Sequence, residues 1–528
     1  MLLNAELLLS YQRCRRRTFL DTYGDPKARD TPSDLLLQLQ QARAAHRQAV
    51  LSEQAYHQPD YPKGDWEAGS KATLALMQQG VDQIHRGVLL SHFQPSEEIT
   101  SSSSPYTPYI PSSPPQSSEQ RKSQLRLGAA LFSLISRPDL LIKQPGKSNL
   151  GDWIYIPAQI ELGKRPKQEY QIVAAYNAQV LAAVQGAVPQ TAYLILRARN
   201  NAARYYVVYL SKWIPQMYRV LEDCIETLQS PQTPEVFITR QRCSLCRWYS
   251  YCYESAKSQQ HLSLLPGVTP SRYAQLQALN LTSIQSLANA TLAQLAPVFS
   301  NKPAAQHLVL QAQSILQQQP ILLPCKSQVS LPLSPPPHSL PLNSPVELYF
   351  DIEAEPDLNL DYLLGILVVD RLAKTETFHC LLAEQPEAEE LIWQQFLDLV
   401  WQYPQAPIFH FCSYEVDTVK RLAKLYHTPP ERILPLMNRF VDVYEQVTQT
   451  VVLPVESYAL KSIARWLGFS WRDPQANGSQ CIYWYKQWLE TSDRTLLDTI
   501  RRYNEDDCRA THRVKDWLTN FVSVQVSE

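Results

Sequence analysis

Two carboxylates that lie two positions apart, Asp351 and Glu353, are the first candidates for chemistry, in the stretch PVELYFDIEAE. The stretch is rich in apolar and β-branched residues and predicts a strand, on which alternate side chains point to the same face. Two like charges on one buried face repel each other unless a cation neutralises them, and Mg²⁺ and Mn²⁺ prefer oxygen ligands. The pair therefore predicts a divalent-cation site, although an isolated Asp-x-Glu is more often a solvated strand end.

A second set of candidates lies near the C-terminus in YNEDDC, within a predicted helix from about Thr495 to Phe521. Tyr503 and Asp507 are four positions apart and share one helix face. A phenol beside a metal-binding carboxylate can orient an attacking water or accept a proton from it. Two metal ions about 4 Å apart can stabilise the entering and leaving oxygens at phosphorus. These residue types predict hydrolysis of a phosphodiester bond.

The segments FDIEAE, FHFCSYEVDTVKRL and YNEDDCRAT resemble, in order and spacing, the three motifs of DEDD-type 3′–5′ exonucleases of the tyrosine-containing subclass. The resemblance covers roughly residues 346–520. It implies that Asp351, Glu353 and Asp507 bind divalent metal and that Tyr503 positions the nucleophilic water.

The middle motif departs from the pattern of this family, which has an aspartate after a strand that ends in His or Asn. Here Glu415 aligns best with that aspartate, and Asp417 is the alternative. Between the second and third motifs, Asp442 is expected near the site. Lys461 is a candidate for contact with phosphate, with a salt bridge on a helix surface as the alternative.

Three of the ten cysteines are clustered in CSLCRWYSYC, as Cys243, Cys246 and Cys252. Thiolates at this spacing bind zinc or an iron–sulfur cluster. Together with SYQRCRRRTFLDTYGD near the N-terminus, the cluster resembles the iron–sulfur staple of RecB-like nucleases. The resemblance implies that Cys14 joins the other three to hold a [4Fe–4S] cluster, with zinc as the alternative.

The RecB-like family also places an acid on one strand, acid-x-lysine on the next strand, and a glutamine on the helix that follows. In SNLGDWIYIPAQIELGKRPKQEYQIV, Asp152 fits the first acid and Gln171 fits the helix. Alignment puts Gln159 at the second acid and Glu161 at the lysine, and Glu161 with Lys164 is a substitute acid-x-x-lysine. The sequence leaves open whether this second nuclease site is active or only part of a nucleic-acid-binding fold.

The stretch LSLLPGVTPSRYAQLQALNLTSIQSLANATLAQL resembles helix-hairpin-helix elements. A turn at Gly267 can expose backbone amides to a phosphate. A helical spacer without a binding role is the alternative.

The elements that must position these residues divide a chain of 528 residues, which is long enough for two or three domains. An α/β multidomain protein is predicted, with a restriction-endonuclease-like RecB module, a helical connector and a ribonuclease H-like mixed sheet with flanking helices. The predicted boundaries are 1–258 for the RecB-like module with a Ser/Pro-rich insertion at 94–123, 259–318 for the helix-hairpin-helix-like connector, 319–345 for a Pro-rich linker, and 346–528 for the exonuclease domain.

The composition is ordinary for a soluble globular protein, with 45% hydrophobic and 19% charged residues and a net charge of -1. We find no run of about 18 apolar residues and no signal-peptide pattern, so a cytoplasmic protein without a membrane partner is expected. The near-neutral charge gives no sign of nucleic-acid binding by the whole chain.

The combined order of modules resembles a family of predicted RecB-type nucleases found in bacteria. It implies a metal-dependent nuclease that uses Mg²⁺ or Mn²⁺, a 3′–5′ exonuclease acting through its C-terminal domain on DNA or RNA, with single-stranded ends as the expected substrate. The RecB-like module would bind or also cleave DNA. The alternative is a non-catalytic nucleic-acid-binding or assembly protein with degenerate nuclease sites.

Overall fold

The computed structural model describes residues 2–93, 132–198, 202–299, 301–324 and 344–527. The chain forms two compact units, Met1–Ser258 and Gln259–Glu528. The Ser/Pro-rich insertion expected at 94–123 lies outside the described residues, as do residues 325–343 of the Pro-rich linker. Among the described residues, no helix combines the length and the apolar composition that a membrane span requires.

The first unit contains eight strands and eight α-helices among its described residues. The strands are β1 (Leu2–Asn4), β2 (Gln83–His85), β3 (Leu89–Phe93), β4 (Phe132–Ser136), β5 (Leu140–Ser148), β6 (Gly151–Glu161), β7 (Thr191–Arg197) and β8 (Ala203–Tyr209). The helices are α1 (Ala5–Arg13), α2 (Arg15–Tyr23), α3 (Asp34–Ser52), α4 (Trp66–Gln78), α5 (Gln168–Gln185), α6 (Leu210–Gln229), α7 (Arg240–Cys243) and α8 (Tyr249–Ser258), with a short 3-10 helix at Pro26–Ala28.

The central strand of the first unit is β6, in a five-stranded mixed sheet of order β2-β5-β6-β7-β8. It pairs antiparallel with β5 and parallel with β7, and α5 makes the crossover to β7. The side chains of β6 alternate between two cores. Tyr155 packs in the core that contains α5, whereas Ala158 and Ile160 pack with Val50 and Leu51 of α3. The end of β6, which carries Glu161, therefore lies between α3 and α5.

The second unit contains the remaining elements. They are α9 (Pro270–Ala278), α10 (Ile284–Ala288), α11 (Leu292–Leu295), α12 (Lys302–Gln317), β9 (Ile321–Leu322), β10 (Val346–Glu355), β11 (Leu360–Asp370), β12 (Thr375–Leu382), α13 (Glu389–Gln402), β13 (Ile408–His410), α14 (Tyr414–Leu425), α15 (Pro430–Met437), β14 (Phe440–Asp442), α16 (Val443–Thr450), β15 (Val451–Val452), α17 (Leu460–Trp466), α18 (Gly478–Thr491) and α19 (Arg494–Ser527), with 3-10 helices at Leu262–Leu264 and Pro386–Ala388.

The main sheet of this unit has the order β12-β11-β10-β13-β14. The meander β10–β12 is antiparallel, and β13 and β14 add to it in parallel. The mixed sheet with flanking helices predicted for the C-terminal module is confirmed. The predicted strands at the start of this module and its long last helix are present, with ends that differ from the prediction by a few residues.

The described residues that precede the C-terminal sheet pack against the segment from β15 to Tyr458. The side chain of Gln311 donates to the carbonyl oxygen of Leu453 at 2.6 Å and accepts from the hydroxyl of Tyr458 at 2.7 Å. Strand β9 pairs with β15. The range 319–345, expected to be a linker, thus begins with ordered backbone, because the amide groups of Ile321–Leu322 find partners on β15.

Strand β10 lies between two helices, and its alternation decides which residues face each of them. Phe350 packs against Phe396 of α13, with ring centroids 4.8 Å apart. On the opposite face, Tyr349 packs against His512 of α19 at 4.7 Å. Odd-numbered residues of β10 therefore face α19, as the period of two requires for Asp351 and Glu353.

A buried ion-pair network at the start of β10 fixes it against α19. One carboxylate oxygen of Glu347 accepts from Lys515 Nζ at 2.6 Å, and the other accepts from Arg371 Nε at 2.9 Å and from the Tyr349 hydroxyl at 2.7 Å. The side chains of Glu347 and Lys515 are almost fully buried. Removing one partner from a buried pair leaves an uncompensated charge in the core.

We predict that Lys515→Met lowers the free energy of unfolding by on the order of 3 kcal/mol, because Glu347 loses its buried cation. The exposed pair Lys420–Asp417 supplies the control: Lys420→Met should change the unfolding free energy by about 0.5 kcal/mol or less. Urea unfolding of the full chain compares the two variants. Equal shifts of the two midpoints would contradict a structural role for the buried pair.

Candidate active site

Three carboxylates meet where β10 passes α19. One oxygen each from Asp351, Glu353 and Asp507 lies within 4.8 Å of the others. The first two are brought to one face by strand alternation, and the third is on the helix that covers this face. Among the described residues, none of the three forms a salt bridge with a lysine or arginine. The three acids predicted from sequence are therefore adjacent, and they form a group without a paired cation.

Burial and mutual repulsion disfavour the ionised forms of these acids. Burial raises the pKa of Asp351 well above its usual value, and the charges of Asp507, Glu353 and Glu415 raise it further. Burial and Asp507 likewise raise the pKa of Glu353. Burial raises the pKa of Asp507 to about 6, against hydrogen bonds from Trp471 and Tyr503 that lower it. A divalent cation would relieve this repulsion, and the all-oxygen donor set suits Mg²⁺ or Mn²⁺.

An asparagine and a glycine hold Asp351 in place. The amide nitrogen of Asn504 donates to Asp351 Oδ2 at 2.7 Å. Gly365 lies opposite Asp351 on β11, and a Cβ added there would come 1.7 Å from Asn504 Oδ1. The buried Oδ1 has no hydrogen-bond partner among the described residues. The close approach requires glycine at 365, since any larger side chain would displace Asn504.

Aromatic side chains and one lysine line the other side of the three acids. Trp471 Nε1 donates to Asp507 Oδ1 at 2.7 Å. Lys461 Nζ lies 4.6 Å from the ring centroid of Tyr503 and donates to the carbonyl oxygen of Ala476. Burial lowers the pKa of Lys461, although Asp507 and Glu353 oppose that change. Lys461, expected either at phosphate or in a surface salt bridge, lies beside the three acids, and its contact with phosphate stays a prediction.

Tyr503 is buried and lies one helical turn before Asp507 on α19, as its position in the sequence predicts. Burial and the nearby charges of Asp507 and Glu353 raise the pKa of its phenol. The hydroxyl is therefore protonated in the metal-free protein, and it can orient a neighbouring molecule by hydrogen bonding.

The structure distinguishes the two candidates for the fourth carboxylate. The side chain of Glu415 is 6% exposed, and its charge contributes to the raised pKa of Asp351. The side chain of Asp417 is 71% exposed and pairs with Lys420. Glu415 is the residue directed toward the site, but its oxygens lie outside the group of three that approach within 4.8 Å.

A strained turn between β13 and α14 carries Glu415. Cys412 has a positive φ of 81°, which a residue with a side chain rarely adopts. Its carbonyl oxygen accepts from His410 Nδ1 at 2.5 Å, and its amide donates to Asp442 Oδ1 at 3.1 Å. His410 Nδ1 also lies 3.5 Å from Glu415. Asp442, expected near the site, thus acts on it through the backbone of this turn.

Another acid group in this unit is less suited to a metal. Oxygen or nitrogen atoms of Glu347, His512 and Asp516 also lie within 4.8 Å of one another. Lys515 and Arg371 already pair with these carboxylates. Their positive charges take the place that a cation would occupy, so this group is a structural network.

In the first unit the predicted acid Asp152 is not near the other predicted residues. It is exposed at the start of β6, and Glu161 ends the same strand nine positions later. At about 3.3 Å per residue, roughly 30 Å separates them. The acid that does lie beside Glu161 is Asp139, which precedes the neighbouring strand β5 and whose Oδ2 accepts from the amide of Ile160 at 2.7 Å. Two residues that far apart on one strand do not converge, so the structure separates Asp152 from Glu161.

The other residues predicted for this site have mixed positions. Gln159 accepts from Asn177 of α5 at 3.2 Å. Lys164 lies beyond the end of β6, in the segment before α5, rather than on the strand. Gln171 is buried on α5 and donates to the carbonyl oxygen of Pro166 at 2.9 Å. Burial raises the pKa of Glu161 to about 7, and Arg43 opposes the increase.

The four predicted cysteines lie within electrostatic range of one another. Burial raises the pKa values of Cys243, Cys246 and Cys252, and the charge of Cys14 adds to each increase. Cys14 lies between α1 and α2, where its sulfur accepts from the amide of Arg17 at 3.3 Å. Cys14 thus acts on three thiols that lie more than 200 residues later in the sequence, at and between the short helices α7 and α8.

Gly267 of the connector has a φ of 80° in the turn before α9. Its carbonyl oxygen accepts from Arg272 at 2.5 Å. The turn that the sequence indicates is therefore present, and glycine suits its left-handed backbone.

Sequence reasoning missed Asn504, Trp471, His410, Gly365 and Asp139. Asn504 could have been found from the sequence, because it follows Tyr503 directly in the YNEDDC motif. Trp471 and Gly365 carried no such signal, because only the fold brings them to the acids.

Comparison with known families agrees with this geometry. A family model described as RNase_H superfamily matches residues 348–519, which span all of the acids of the C-terminal site. No curated protein matches the chain. The C-terminal module is thus an RNase H-like domain, and the match supports a nuclease-type function that uses divalent metal and acts on nucleic acid.

We predict that Gly365→Ala weakens Mn²⁺ binding and lowers the melting temperature, because the new methyl group displaces Asn504 from Asp351. Gly478→Ala is the matched control, since a Cβ there meets no atom within 4 Å. Calorimetric titration with Mn²⁺ and thermal unfolding of both variants provide the comparison. Unchanged Mn²⁺ affinity in Gly365→Ala would show that Asn504 does not hold the acid in position.

Proposed function

We propose that the chain is a metal-dependent nuclease whose C-terminal module removes nucleotides from single-stranded ends of DNA or RNA in the 3′–5′ direction. The observation that carries the proposal is the buried group Asp351, Glu353 and Asp507, which has no salt bridge to a lysine or arginine among the described residues. The acids of the structural network in the same unit are paired with lysine and arginine.

Divalent ions bound by these three carboxylates would stabilise the charge that develops on the oxygens at phosphorus. Tyr503 lies beside Asp507 and is proposed to orient the attacking water through its hydroxyl. Lys461 adds a positive charge next to the same acids, where it favours an anionic phosphodiester. Glu415 approaches from the turn after β13 and completes the set of four acids expected for this chemistry.

A second candidate function is nucleic-acid binding without cleavage. It is favoured by the position of Glu415, whose oxygens are outside the group of three acids. The longer side chain of glutamate, compared with aspartate, places the carboxylate differently in the site. The test of function must therefore include this residue.

The test compares Glu415→Gln with Asp417→Asn, which remove one charge each from neighbouring positions of α14. We expect Glu415→Gln to reduce Mn²⁺-dependent cleavage by at least about 100-fold, because it removes a buried acid that acts on Asp351. Asp417→Asn should retain wild-type activity because its side chain is in solvent. The assay uses single- and double-stranded DNA and RNA with a label at either the 5′ or the 3′ end.

Asp507→Ala provides the inactive reference and should abolish cleavage in Mg²⁺ or Mn²⁺. Shortening from the 3′ end would appear as a ladder with a 5′ label. If wild type binds these substrates but cleaves none of them, the binding function replaces the nuclease proposal. If Asp507→Ala cleaves as well as wild type, the activity lies outside this site.

For the first unit we propose a RecB-like module in which Cys14, Cys243, Cys246 and Cys252 hold a [4Fe–4S] cluster. Amide groups donate to two of the sulfurs, which favours thiolates. Four thiolates can also bind zinc, which is the alternative that metal analysis distinguishes from the cluster.

Protein purified without oxygen should therefore absorb broadly near about 400 nm, and Cys14→Ser should lose most of that absorbance. Cys224→Ser is the control, because Cys224 is a buried thiol of α6 outside the cysteine group. Iron and zinc analysis accompanies the spectra. A colourless protein with one zinc ion per chain would contradict the assignment.

A further inference from the structure

The acid pair of the first unit is neutralised by two arginines from one helix. Arg47 Nε lies 2.7 Å from Asp139 Oδ1, and Arg43 lies 3.3 Å from Glu161 Oε1. Both arginines are on α3, four positions apart, so they share the face that covers the end of β6. The acids are buried, whereas the arginine side chains are 36% and 39% exposed. Each guanidinium thus contacts an acid on one side and solvent on the other.

The residues of this site do not fit a divalent metal. A RecB-like site requires a second acid and a lysine on the strand where this chain has Gln159 and Glu161. Gln159 is an amide and is held by Asn177 through a hydrogen bond. The two acids that remain, Asp139 and Glu161, already have arginine counterions. These residues therefore do not provide the acids that metal-dependent cleavage requires.

The surroundings of the pair are strongly basic. The segment that follows Glu161 carries Lys164, Arg165 and Lys167 within six residues. Arg197 ends β7, next to the residue that pairs with Glu161.

A further arginine, Arg13 of α1, also acts electrostatically on Glu161 and pairs with Glu169. The basic residues named here outnumber the acidic residues Asp139, Glu161 and Glu169 by seven to three. Such a local excess attracts a phosphate backbone even though the whole chain is nearly neutral.

We infer that this site is a metal-independent binding site for a nucleic-acid phosphodiester backbone, in which the exposed sides of Arg43 and Arg47 contact phosphate. The acids are counterions that compete with phosphate for the arginines, and they do not bind metal. The inference gives a specific site for the expectation, from the RecB-like resemblance, that the first unit binds nucleic acid. It does not depend on cleavage by the C-terminal site.

The experiment measures binding of a fluorescently labelled single-stranded oligodeoxynucleotide to the full chain in EDTA, where metal sites are empty. The double variant Arg43→Gln/Glu161→Gln removes an ion pair without leaving a buried charge. It should weaken binding about tenfold and reduce the dependence on salt by about one counterion. Arg219→Gln, an exposed arginine of α6 on a different helix, is the matched control and should bind within about twofold of wild type.

The single variant Glu161→Gln distinguishes an arginine site from a metal site. In an arginine site it releases Arg43 and should tighten binding in EDTA. In a metal site it should have no effect in EDTA and should weaken binding that depends on Mn²⁺. The second pattern, or equal affinities of the double variant and Arg219→Gln, would overturn the inference.

If the double variant does not fold, as judged by circular dichroism, Arg165→Gln serves in its place. Arg165 is exposed in the segment after β6, so its replacement leaves the core intact. It should weaken binding in EDTA more than Arg219→Gln does, and equal effects would overturn the inference. Cleavage assays in Mn²⁺ remain a separate readout, so loss of the proposed nuclease function and loss of this binding site are distinguishable.

Discussion

The C-terminal unit depends on the antiparallel register of strand β10 against helix α19. From Glu347 to Glu353 the strand advances about 20 Å, and from Lys515 back to Tyr503 the helix covers about 18 Å. The length of strand and the length of helix therefore match, with the ion pair at one end and the acids at the other. A displacement of one residue in β10 would turn its acids toward α13 and the apolar core. The buried pair is thus a constraint on the geometry of the site as well as on stability.

Three of the groups of buried carboxylates among the described residues differ in how their charge is balanced. Arginine from α3 balances the pair in the first unit, and Lys515 with Arg371 balances Glu347. The group around Asp351 has only Lys461 nearby, without a salt bridge among the described residues. Acidic residues in a strand next to a helix are therefore not sufficient to indicate a metal site. The counterions, which come from distant parts of the sequence, decide among the three cases.

Much of the C-terminal site could be predicted because its signals are local. Strand alternation relates Asp351 to Glu353, and one helical turn relates Tyr503 to Asp507. The sequence favoured Glu415 over Asp417 by alignment alone, and burial adds a physical difference between these two acids on the same turn of α14. The acids and arginines of the first unit could be predicted less completely from the sequence.

There, sequence reasoning selects Asp152, which lies in the same sequence window as Glu161, and does not consider Asp139. Convergence of two acids requires neighbouring strands, and the pairing of β5 with β6 is not visible in the spacing. The arginines of α3 were missed for the same reason, since more than 100 residues of sequence separate them from Glu161.

The contact between Gly365 and Asn504 has a consequence for sequence variation. The Asn504 side chain occupies the space that a side chain at position 365 would need, so a larger residue at one position requires a smaller residue at the other. A related chain with alanine at the position of Gly365 would need a residue shorter than asparagine at the position of Asn504. Asp351 Oδ2 would then require a different hydrogen-bond donor. These two positions are expected to change together or not at all, although they lie on different elements and far apart in the chain.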